Sequence, residues 1–595
     1  MARRTNSMGH RTISALIMFA LIFTFPFLAG AQAKPPAATV PKATTKPKLV
    51  ILLVVDQMRA DYVDKFLGQW TGGLKRLVDE GAWFRDAAYP YAATETCVGH
   101  STISTGAFPA THGMVSNEWW DRELQKSVTC TADSNVKNIA YGSAQVNGGD
   151  SAAKMLIPAF ADELKFQAGA GTRVVTFSLK ARASITMGGR LGDAVTWFDP
   201  ALGAWTTSSA YPTAGFVAEY AKAHPVANDY GKTWAPLLPD SAYLYDKTAT
   251  GAIAPNGYNP AFPHPLHGKP DSTSADAAFY YQWQTSPYAD TYLSQLAETA
   301  VDKLQLGKGP GTNFLAVSFS SVDYVGHAFG PRSWEIQDVL ARLDRDLAGL
   351  FSQLDQKVGK NNYVVAFSAD HGVVPIPEDL QKTGMSAGWL KVEEVKGRIE
   401  KNLEPFNYAK PTVAEVGASD VYFTPGTYDK LKSDPAAWRA VLDAIQSVPG
   451  VAHVYRAEEL EDRPATKSPI RTAEADSFLK SRSGDLLIVP KPYWPWDFST
   501  ASRPRQYGTT HGTPYYYDQH VPVLLMGFGI QPGQYFQPIT PADIAPTFAA
   551  LCGITLSSRD GHILAEALKK PAAPRATTQP AQAKSATPST HESRP

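Results

Sequence analysis

The chain has 595 residues, of which 44% are hydrophobic and 19% are charged, so it can bury a large core and is too long for one simple domain. Lysine plus arginine and aspartate plus glutamate number 56 each, a balance that gives no support to nucleic-acid or membrane-surface binding. Three cysteines, Cys97, Cys130 and Cys552, allow one disulfide at most and therefore do not define the fold.

The N-terminal segment has the pattern of a secretory signal peptide, which we place at residues 1–33. Basic residues precede an apolar run at 13–28, and small residues after it allow cleavage after Ala31 or Ala33. The run is too short for a membrane anchor. We therefore expect a periplasmic or secreted protein that keeps no membrane anchor after cleavage.

Six short apolar runs without polar alternation predict strands that are covered on both faces, as in a parallel sheet. In chain order these runs are 49–55, 174–177, 314–319, 363–367, 486–489 and 521–525. Helices are predicted over 333–354, where apolar residues recur at three- and four-residue steps, and over 541–551. Alternation of strands and helices predicts an α/β fold with a doubly wound, mostly parallel central sheet and helices on both faces.

The remaining segments define the domain organisation. In chain order we predict a flexible linker at 34–48, a main domain at 49–570 with cap insertions at about 183–310 and about 386–483, and a disordered tail at 571–595. The linker and the tail have low complexity and bury too little apolar surface to fold. An aromatic stretch at 280–292 is typical either of the core of an inserted subdomain or of a surface that binds aromatic groups.

Residues that can hold metal ions occur in separated clusters, several of them just after predicted strands. They are Asp56, Asp323, His327, Asp370, His371 and His511. In open parallel sheets, ligands gather beyond the carboxyl ends of the strands. Mixed carboxylates and imidazoles suit zinc, and two divalent ions about 4 Å apart can clamp the attacking and leaving oxygens of a displacement at phosphorus. The set predicts a two-zinc site for phosphoryl transfer, although each residue alone is more often a loop residue or a structural histidine.

Thr96 is the candidate nucleophile. It precedes a stretch at 97–105 that can start a helix, and a helix N-terminus favours an anionic oxygen and a phosphate. A simple helix cap is the alternative role for the same hydroxyl. Lys180 and Arg182 follow a predicted strand and can both face a phosphoryl group, unless they form an ordinary solvated strand end.

Three further residues lie near these motifs. Cys97 has no partner base or redox motif, so we interpret it as a small buried residue or as a disulfide partner of Cys130. His100 and His112 match no ligand position and are interpreted as structural or as supports for the ligands.

Six segments resemble motifs of the alkaline phosphatase superfamily. They are Val54-Val55-Asp56-Gln57-Met58-Arg59, Thr96-Cys97-Val98-Gly99-His100, Ser178-Leu179-Lys180-Ala181-Arg182, Asp323-Tyr324-Val325-Gly326-His327, Ser368-Ala369-Asp370-His371-Gly372 and Thr510-His511-Gly512. The likeness covers about residues 50–561. It is greatest to the exported bacterial branch of broad-specificity alkaline phosphatases that use a threonine nucleophile.

The resemblance implies roles for individual residues. One zinc ion would be held by Asp323, His327 and His511, and a second by Asp56, Asp370, His371 and the Thr96 oxygen. Thr96 would form a phosphothreonine intermediate that water hydrolyses. Asn117, 21 residues after Thr96, would donate a hydrogen bond to a phosphoryl oxygen.

Lys180 and Arg182 decide the substrate class within this resemblance. The related nucleotide pyrophosphatase/phosphodiesterase branch lacks the pair and binds the second ester group on an apolar surface, so we expect a monoesterase and keep a phosphodiesterase as the alternative. The sulfatase branch needs a Cys-x-Pro-x-Arg sequence, which the segment starting at Cys97 lacks. A non-catalytic protein that binds metal or phosphate is the remaining alternative.

The expected activity is broad-specificity hydrolysis of small phosphate esters at alkaline pH, for phosphate scavenging, by a monomer with two zinc ions. A further structural Ca²⁺ or Mg²⁺ is left open, because acidic surface loops are too common to assign.

Overall fold

The computed structural model describes residues 45–570 apart from residues 143, 462, 464, 465 and 558. The predicted signal peptide, the first part of the predicted linker and the predicted tail lie outside these residues. Within the described part of the chain, no helix has both the length and the apolar character that crossing a membrane requires.

A ten-stranded sheet forms the centre of the fold. Its strands, numbered in chain order, are β1 (Leu49–Val55), β2 (Ala82–Phe84), β3 (Asn138–Ala140), β4 (Val174–Ser178), β5 (Ala194–Asp199), β6 (Ala204–Ser208), β7 (Asn313–Phe319), β8 (Tyr363–Ser368), β9 (Val523–Gly527) and β10 (Gly533–Tyr535). Their order across the sheet is β10-β2-β9-β8-β1-β7-β4-β5-β6-β3. The five neighbours β8, β1, β7, β4 and β5 are parallel, whereas β9 and β6 pair antiparallel with both of their neighbours.

The uninterrupted apolar sequence of β1 follows from burial of both faces. Side chains alternate across a strand, so successive residues enter different cores. Leu49, Ile51, Leu53 and Val55 belong to one hydrophobic cluster, and Val50, Leu52 and Val54 belong to another. A strand at the middle of a parallel sheet therefore lacks the polar alternation of a half-exposed strand.

Helices cover both of these faces, which confirms the predicted α/β class. The long helix Trp334–Lys357 packs into the first cluster, and Ile544–Cys552 packs into the second. The first of these helices begins where the sequence predicts, because Ser333 Oγ accepts a hydrogen bond from Ile336 N at 3.2 Å and caps its N-terminus. The second is preceded by a 3₁₀ turn at Pro541–Asp543.

The other α-helices are Asp61–Phe66, Gly73–Glu80, Thr96–Thr105, Pro109–His112, Phe160–Ala168, Ala181–Gly188, Gly215–Ala223, Ala277–Gln284, Pro287–Lys303, Ser321–Phe329, Pro377–Lys382, Val392–Asn402, Thr427–Lys432, Pro435–Gln446, Ala457–Leu460, Pro469–Ser477 and Tyr516–Gln519. Short strand pairs outside the main sheet are Glu118–Asp121 with Lys126–Thr129, Thr233–Trp234 with His264–Pro265, and Leu390–Lys391 with Trp496–Asp497.

One predicted strand lies in a different sheet. The run predicted at 486–489 forms the strand Leu486–Pro490, but this strand belongs to a separate four-stranded antiparallel sheet with Val413–Val416, Asp420–Phe423 and Val451–Arg456. Placement of this strand in the central sheet is therefore wrong, because its partners Asp420–Phe423 and Val451–Arg456 come from the second insertion. An apolar run predicts a buried strand without indicating which sheet it joins.

The first predicted insertion also contributes to the central sheet, since β5 and β6 both lie within 183–310. The aromatic stretch at 280–292 is core and not a binding surface: Trp283 is fully buried, and Tyr292 stacks within 5.2 Å of the ring of Trp205.

Candidate active site

The candidate metal ligands come together at the carboxyl edge of the parallel strands. Asp56 follows β1, Asp323 lies in the helix Ser321–Phe329 that follows β7, and Asp370 and His371 follow β8. β8, β1 and β7 are adjacent, so their ends meet at one place. We call the set Asp56, Asp323, His327, Asp370, His371 and His511 the ligand cluster.

Two groups within the ligand cluster have the spacing of metal sites. Ligand atoms of Asp56, Asp370 and His371 lie within 4.8 Å of one another, and so do those of Asp323, His371 and His511. His327 joins the second group through its Nε2, which is 3.3 Å from Asp323 Oδ1. The structure thus brings together all six residues, and it places His371 within reach of both groups.

The three histidines of the cluster all present Nε2 to the carboxylates. Their Nδ1 atoms lie 2.8–2.9 Å from backbone carbonyl oxygens: those of Thr509 for His327, Gly372 for His371 and Thr94 for His511. A carbonyl only accepts, so each Nδ1 carries a proton, and in the neutral ring Nε2 then keeps its lone pair. This arrangement orients imidazoles for metal binding.

The charges of the cluster fit divalent cations. Burial raises the pKa of Asp56, and the carboxylates of Asp323 and Asp370 raise it further, to well above its ordinary value. His371 Nε2 is buried without a hydrogen-bond partner in the described chain. Three carboxylates that share a buried site with neutral imidazoles need more positive charge than one lysine supplies. The donor set therefore fits metal ions.

Lys180 places a positive charge between two carboxylates of the ligand cluster. Its Nζ lies 2.6 Å from Asp56 Oδ2, 2.5 Å from Asp323 Oδ2 and 3.5 Å from Thr96 Oγ1. Burial alone would raise the pKa of Asp323, but its neighbours, above all the charge of Lys180, outweigh burial and hold this pKa well below its ordinary value. Lys180 is thus no solvated strand end. It lies inside the site.

Thr96 is not a helix cap. It is the first residue of the helix Thr96–Thr105, the N-cap position is occupied by Glu95, and no side-chain cap bond is made there. The cap interpretation of the hydroxyl is therefore wrong. Thr96 Oγ1 is buried beside Lys180 at the positive end of the helix dipole, where an anionic oxygen is favoured.

Asn117 is held by three contacts, two of them with residues at the same helix end. Its Oδ1 accepts a hydrogen bond from Cys97 N at 2.8 Å, its backbone N donates to Glu95 Oε2 at 2.6 Å, and its backbone O accepts from Cys130 N at 2.9 Å. Because Oδ1 is engaged, the amide Nδ2 remains as a donor for a ligand. Cys97 and Cys130 form a disulfide, so the disulfide interpretation of Cys97 is confirmed.

Arg182 lines the cavity above Thr96 and Asn117. Its Nε is buried and has no hydrogen-bond partner in the part of the chain that the structure describes. Its charge lowers the pKa of Glu95, although burial is the largest influence on that carboxyl and raises its pKa overall. The guanidinium is therefore available to an anion in the cavity.

Sequence reasoning gave no role to Gln57, which connects the two ligand groups. Its backbone N donates to Asp370 Oδ1 at 3.0 Å, and its Nε2 donates to Asp323 Oδ1 at 2.7 Å. Gln57 has a φ of 67°, a conformation that costs free energy outside glycine and occurs at functional sites. A Cβ at Gly326 would lie 1.9 Å from Gln57 Oε1. A glycine at this position therefore makes room for the Gln57 side chain that donates to Asp323. No feature of residue type identifies Gln57, apart from its place next to Asp56.

Of the two roles predicted for these histidines, His100 supports a ligand and His112 is structural. His100 Nδ1 lies 2.9 Å from Thr96 O and 3.2 Å from Asp370 Oδ2, so it joins the helix Thr96–Thr105 to the ligand cluster. His112 is buried against Thr102 at 3.1 Å and does not contact the cluster.

The site opens into a cavity of about 590 Å³. Its inner surface is formed by Thr96, Asn117, Arg182 and the outer members of the ligand cluster, and its outer surface includes several aromatic residues. The outer aromatic residues are Trp119, Trp120, Trp389, Tyr422, Trp496, Phe498 and Tyr507.

Comparison with known proteins agrees with this geometry. A family model described as type I phosphodiesterase / nucleotide pyrophosphatase matches residues 50–514. Alkaline phosphatase PafA of Elizabethkingia meningoseptica is 34% identical over 87% of this chain and 93% of its own length. Alkaline phosphatase PhoV of Synechococcus elongatus is 31% identical over 90% of this chain and 96% of its own.

The crystal structure of wild-type PafA matches with a TM-score of 0.78 at 32% identity, over 89% of this chain and all of that one. A second crystal structure of PafA is of a variant changed at a threonine, an asparagine, a lysine and an arginine.

Proposed function

Because the chain belongs to the type I phosphodiesterase / nucleotide pyrophosphatase family, within the alkaline phosphatase superfamily, we propose that it is an alkaline phosphatase. It hydrolyses phosphate monoesters, as the names of PafA and PhoV indicate for relatives that match nearly its whole length. The observation that carries the assignment is the buried hydroxyl of Thr96, 3.5 Å from Lys180 Nζ and in the same cavity as the ligand cluster.

The metal ions of this proposal are two zinc ions. One would be held by Asp323, His327 and His511, and the other by Asp56, Asp370, His371 and the Thr96 oxygen. Mixed carboxylate and imidazole ligands with free Nε2 lone pairs support zinc over Mg²⁺ or Ca²⁺, which prefer oxygen ligands. When bound, zinc would supply Lewis acidity at the attacking and leaving oxygens.

The covalent steps then use residues of the chain itself. Thr96 Oγ1 gives its proton to solvent and attacks phosphorus, and the bond from phosphorus to the ester oxygen breaks with its electron pair on that oxygen. The oxygen takes up a proton from solvent, which releases the alcohol and leaves a phosphothreonine. Water attacks the same phosphorus and gives up a proton, the bond to Thr96 Oγ1 breaks, this oxygen is protonated again, and phosphate leaves. Asn117 Nδ2 and the N-terminus of the helix Thr96–Thr105 stabilise the negative phosphoryl oxygens.

Lys180 and Arg182 support a monoesterase over the phosphodiesterase that the family description also allows. A monoester has one more anionic oxygen than a diester, and the guanidinium of the half-buried Arg182, whose Nε has no hydrogen-bond partner in the described chain, is suited to it. The four residue types changed in the PafA variant are those of Thr96, Asn117, Lys180 and Arg182. We further propose export through the N-terminal segment and use in phosphate scavenging.

The proposal is tested by kcat/KM for p-nitrophenyl phosphate and for bis-p-nitrophenyl phosphate on zinc-loaded protein at alkaline pH. The two substrates share a leaving group and differ in the charge at phosphorus. We expect the monoester to be much the better substrate. A higher value for the diester would assign a phosphodiesterase, and turnover of neither would leave a binding protein.

A further inference from the structure

The cavity is larger than phosphoryl transfer requires. Under the proposed function, Thr96, Asn117 and Arg182 would contact the phosphoryl group, yet the cavity has a volume of about 590 Å³ and is also lined by residues 496–500 and 503–507. Ligand-sized cavities of a few hundred Å³ or more hold whole small molecules. The outer part is therefore the space into which the remainder of the ester extends.

Two aromatic side chains in this outer part are exposed to solvent. Phe498 is 51% exposed and Tyr507 is 38% exposed, and we call this pair the aromatic rim. The other large hydrophobic residues with such exposure in the described chain lie outside the cavity. Exposed aromatic area that is collected in a cleft, unlike a single exposed residue elsewhere, marks a binding surface.

The segment that carries the aromatic rim is fixed at several points. Thr500 and Arg503 exchange backbone hydrogen bonds of 2.9 and 3.2 Å and close a tight turn. Arg505 stacks over Trp389 at 4.0 Å and donates to Glu378 Oε1 at 2.8 Å. The rim is thus a preformed surface, and binding a ligand there would not require ordering of the segment.

Tyr507 adjoins the ligand cluster directly. Its ring centroid lies 4.8 Å from that of His327, and the backbone N of the next residue, Gly508, donates to His327 O at 2.8 Å. Under the proposed function, His327 belongs to the metal group without Thr96, on the side where an in-line displacement directs the leaving oxygen. A leaving group on that side extends over His327 toward Tyr507.

On this basis, which includes the proposed function, we infer that Phe498 and Tyr507 form a leaving-group subsite for aromatic rings. The preferred substrates are then phosphate monoesters whose leaving group carries a flat aromatic ring. Such a ring stacks on the rim and gains contacts that an aliphatic group of the same ester lacks.

The test compares 2-phenylethyl phosphate with ethyl phosphate. Both release an alkoxide of similar basicity, so they differ in the ring and not in intrinsic reactivity. We expect Phe498→Ala to lower kcat/KM for the phenylethyl ester about tenfold and to leave the ethyl ester unchanged. Phe536→Ala, at a 70% exposed phenylalanine outside the cavity, is the matched control and should change neither.

A second measurement separates this inference from the proposed function. Binding of 2-phenylethylphosphonate and ethylphosphonate is followed by calorimetry on wild-type protein and on Phe498→Ala. The phenyl compound should bind more tightly to the wild type only, even if the protein hydrolyses no ester. Equal losses for both esters, or equal affinities for both phosphonates in the wild type, would overturn the subsite.

Discussion

The ligand cluster and the aromatic rim border the same cavity and are built in opposite ways. Asp56, Asp370 and His371 are fully buried at the ends of adjacent central strands, and each polar atom there faces another charged or polar group. Phe498 and Tyr507 stand half-exposed on a segment next to the second insertion. The ligand cluster is therefore fixed by many interdependent contacts, whereas the aromatic rim is held by backbone hydrogen bonds and few side-chain contacts. The effects of substitutions in the two regions should therefore differ in size and in kind.

The largest loss is expected for Thr96→Ala, which removes the nucleophile and leaves the ligand cluster. Monoesterase kcat should fall by roughly a thousandfold or more, because the covalent path is closed. Thr96→Ser retains the hydroxyl and is the matched control. The measurement is kcat together with zinc content. Wild-type turnover by a zinc-loaded Thr96→Ala protein would rule out the covalent mechanism.

The next largest effect is expected for Arg182→Ala. Loss of the guanidinium contact should lower kcat/KM about a hundredfold for p-nitrophenyl phosphate and much less for the diester, whose esterified oxygen carries no charge. Arg503→Ala, at an exposed arginine of the same cavity, controls for the change in overall charge. Equal losses for the two substrates would remove the argument for substrate class.

A smaller effect is expected for Glu95→Gln, a residue that positions Asn117. Glu95 Oε2 accepts hydrogen bonds from Asn117 N at 2.6 Å and Ser116 Oγ at 2.9 Å, and an amide cannot satisfy both with the same strength. We expect kcat/KM for p-nitrophenyl phosphate to fall about tenfold.

A double-mutant cycle distinguishes this role from a general structural one. In an Asn117→Ala background, Glu95→Gln should cause almost no further loss, because the residue it positions is already missing. Full additivity would show that Glu95 acts elsewhere. Glu118→Gln, at an exposed neighbour on the hairpin, serves as the control.

The difference between the two regions also explains what the sequence could predict. Asp56, Asp323 and Asp370 follow apolar runs, so the rule that parallel strand ends converge was enough to bring them together. The sequence does not predict the role of Gln57, because this role depends on a backbone turn and on two carboxylates far away in sequence. The apolar run at 486–489 predicts the strand Leu486–Pro490 but not the sheet that it joins, since pairing depends on distant partners. Phe498 and Tyr507 gave no signal, because exposure of an aromatic side chain is decided by tertiary structure.

A buried carboxylate of the second insertion can be compared with the paired carboxylates of the ligand cluster, and changing it should have the smallest effect. Glu474, in the helix Pro469–Ser477, is 1% exposed and makes no hydrogen bond in the described structure, unlike Asp323 with its lysine and histidine neighbours. Burial raises the pKa of Glu474 to about 8, and the charge of Asp420 contributes to the increase. Its neutral form is therefore the one that the folded state favours.

Because of Glu474, the free energy of unfolding should decrease as pH rises. Because the folded pKa lies above the ordinary value of 4.5, the stability contributed by protonated Glu474 is complete below pH 4.5 and is lost as pH rises to about 8. Glu474→Gln cannot ionise, so its free energy of unfolding relative to wild type should increase by a few kcal/mol between pH 5 and pH 9. Urea unfolding at both pH values measures this, with Glu219→Gln as an exposed control. The amide can add a constant cost of its own, so the change with pH is the decisive quantity. A difference that stays the same at both pH values would mean that the insertion compensates the charge of Glu474, as Lys180 compensates the charge of Asp323.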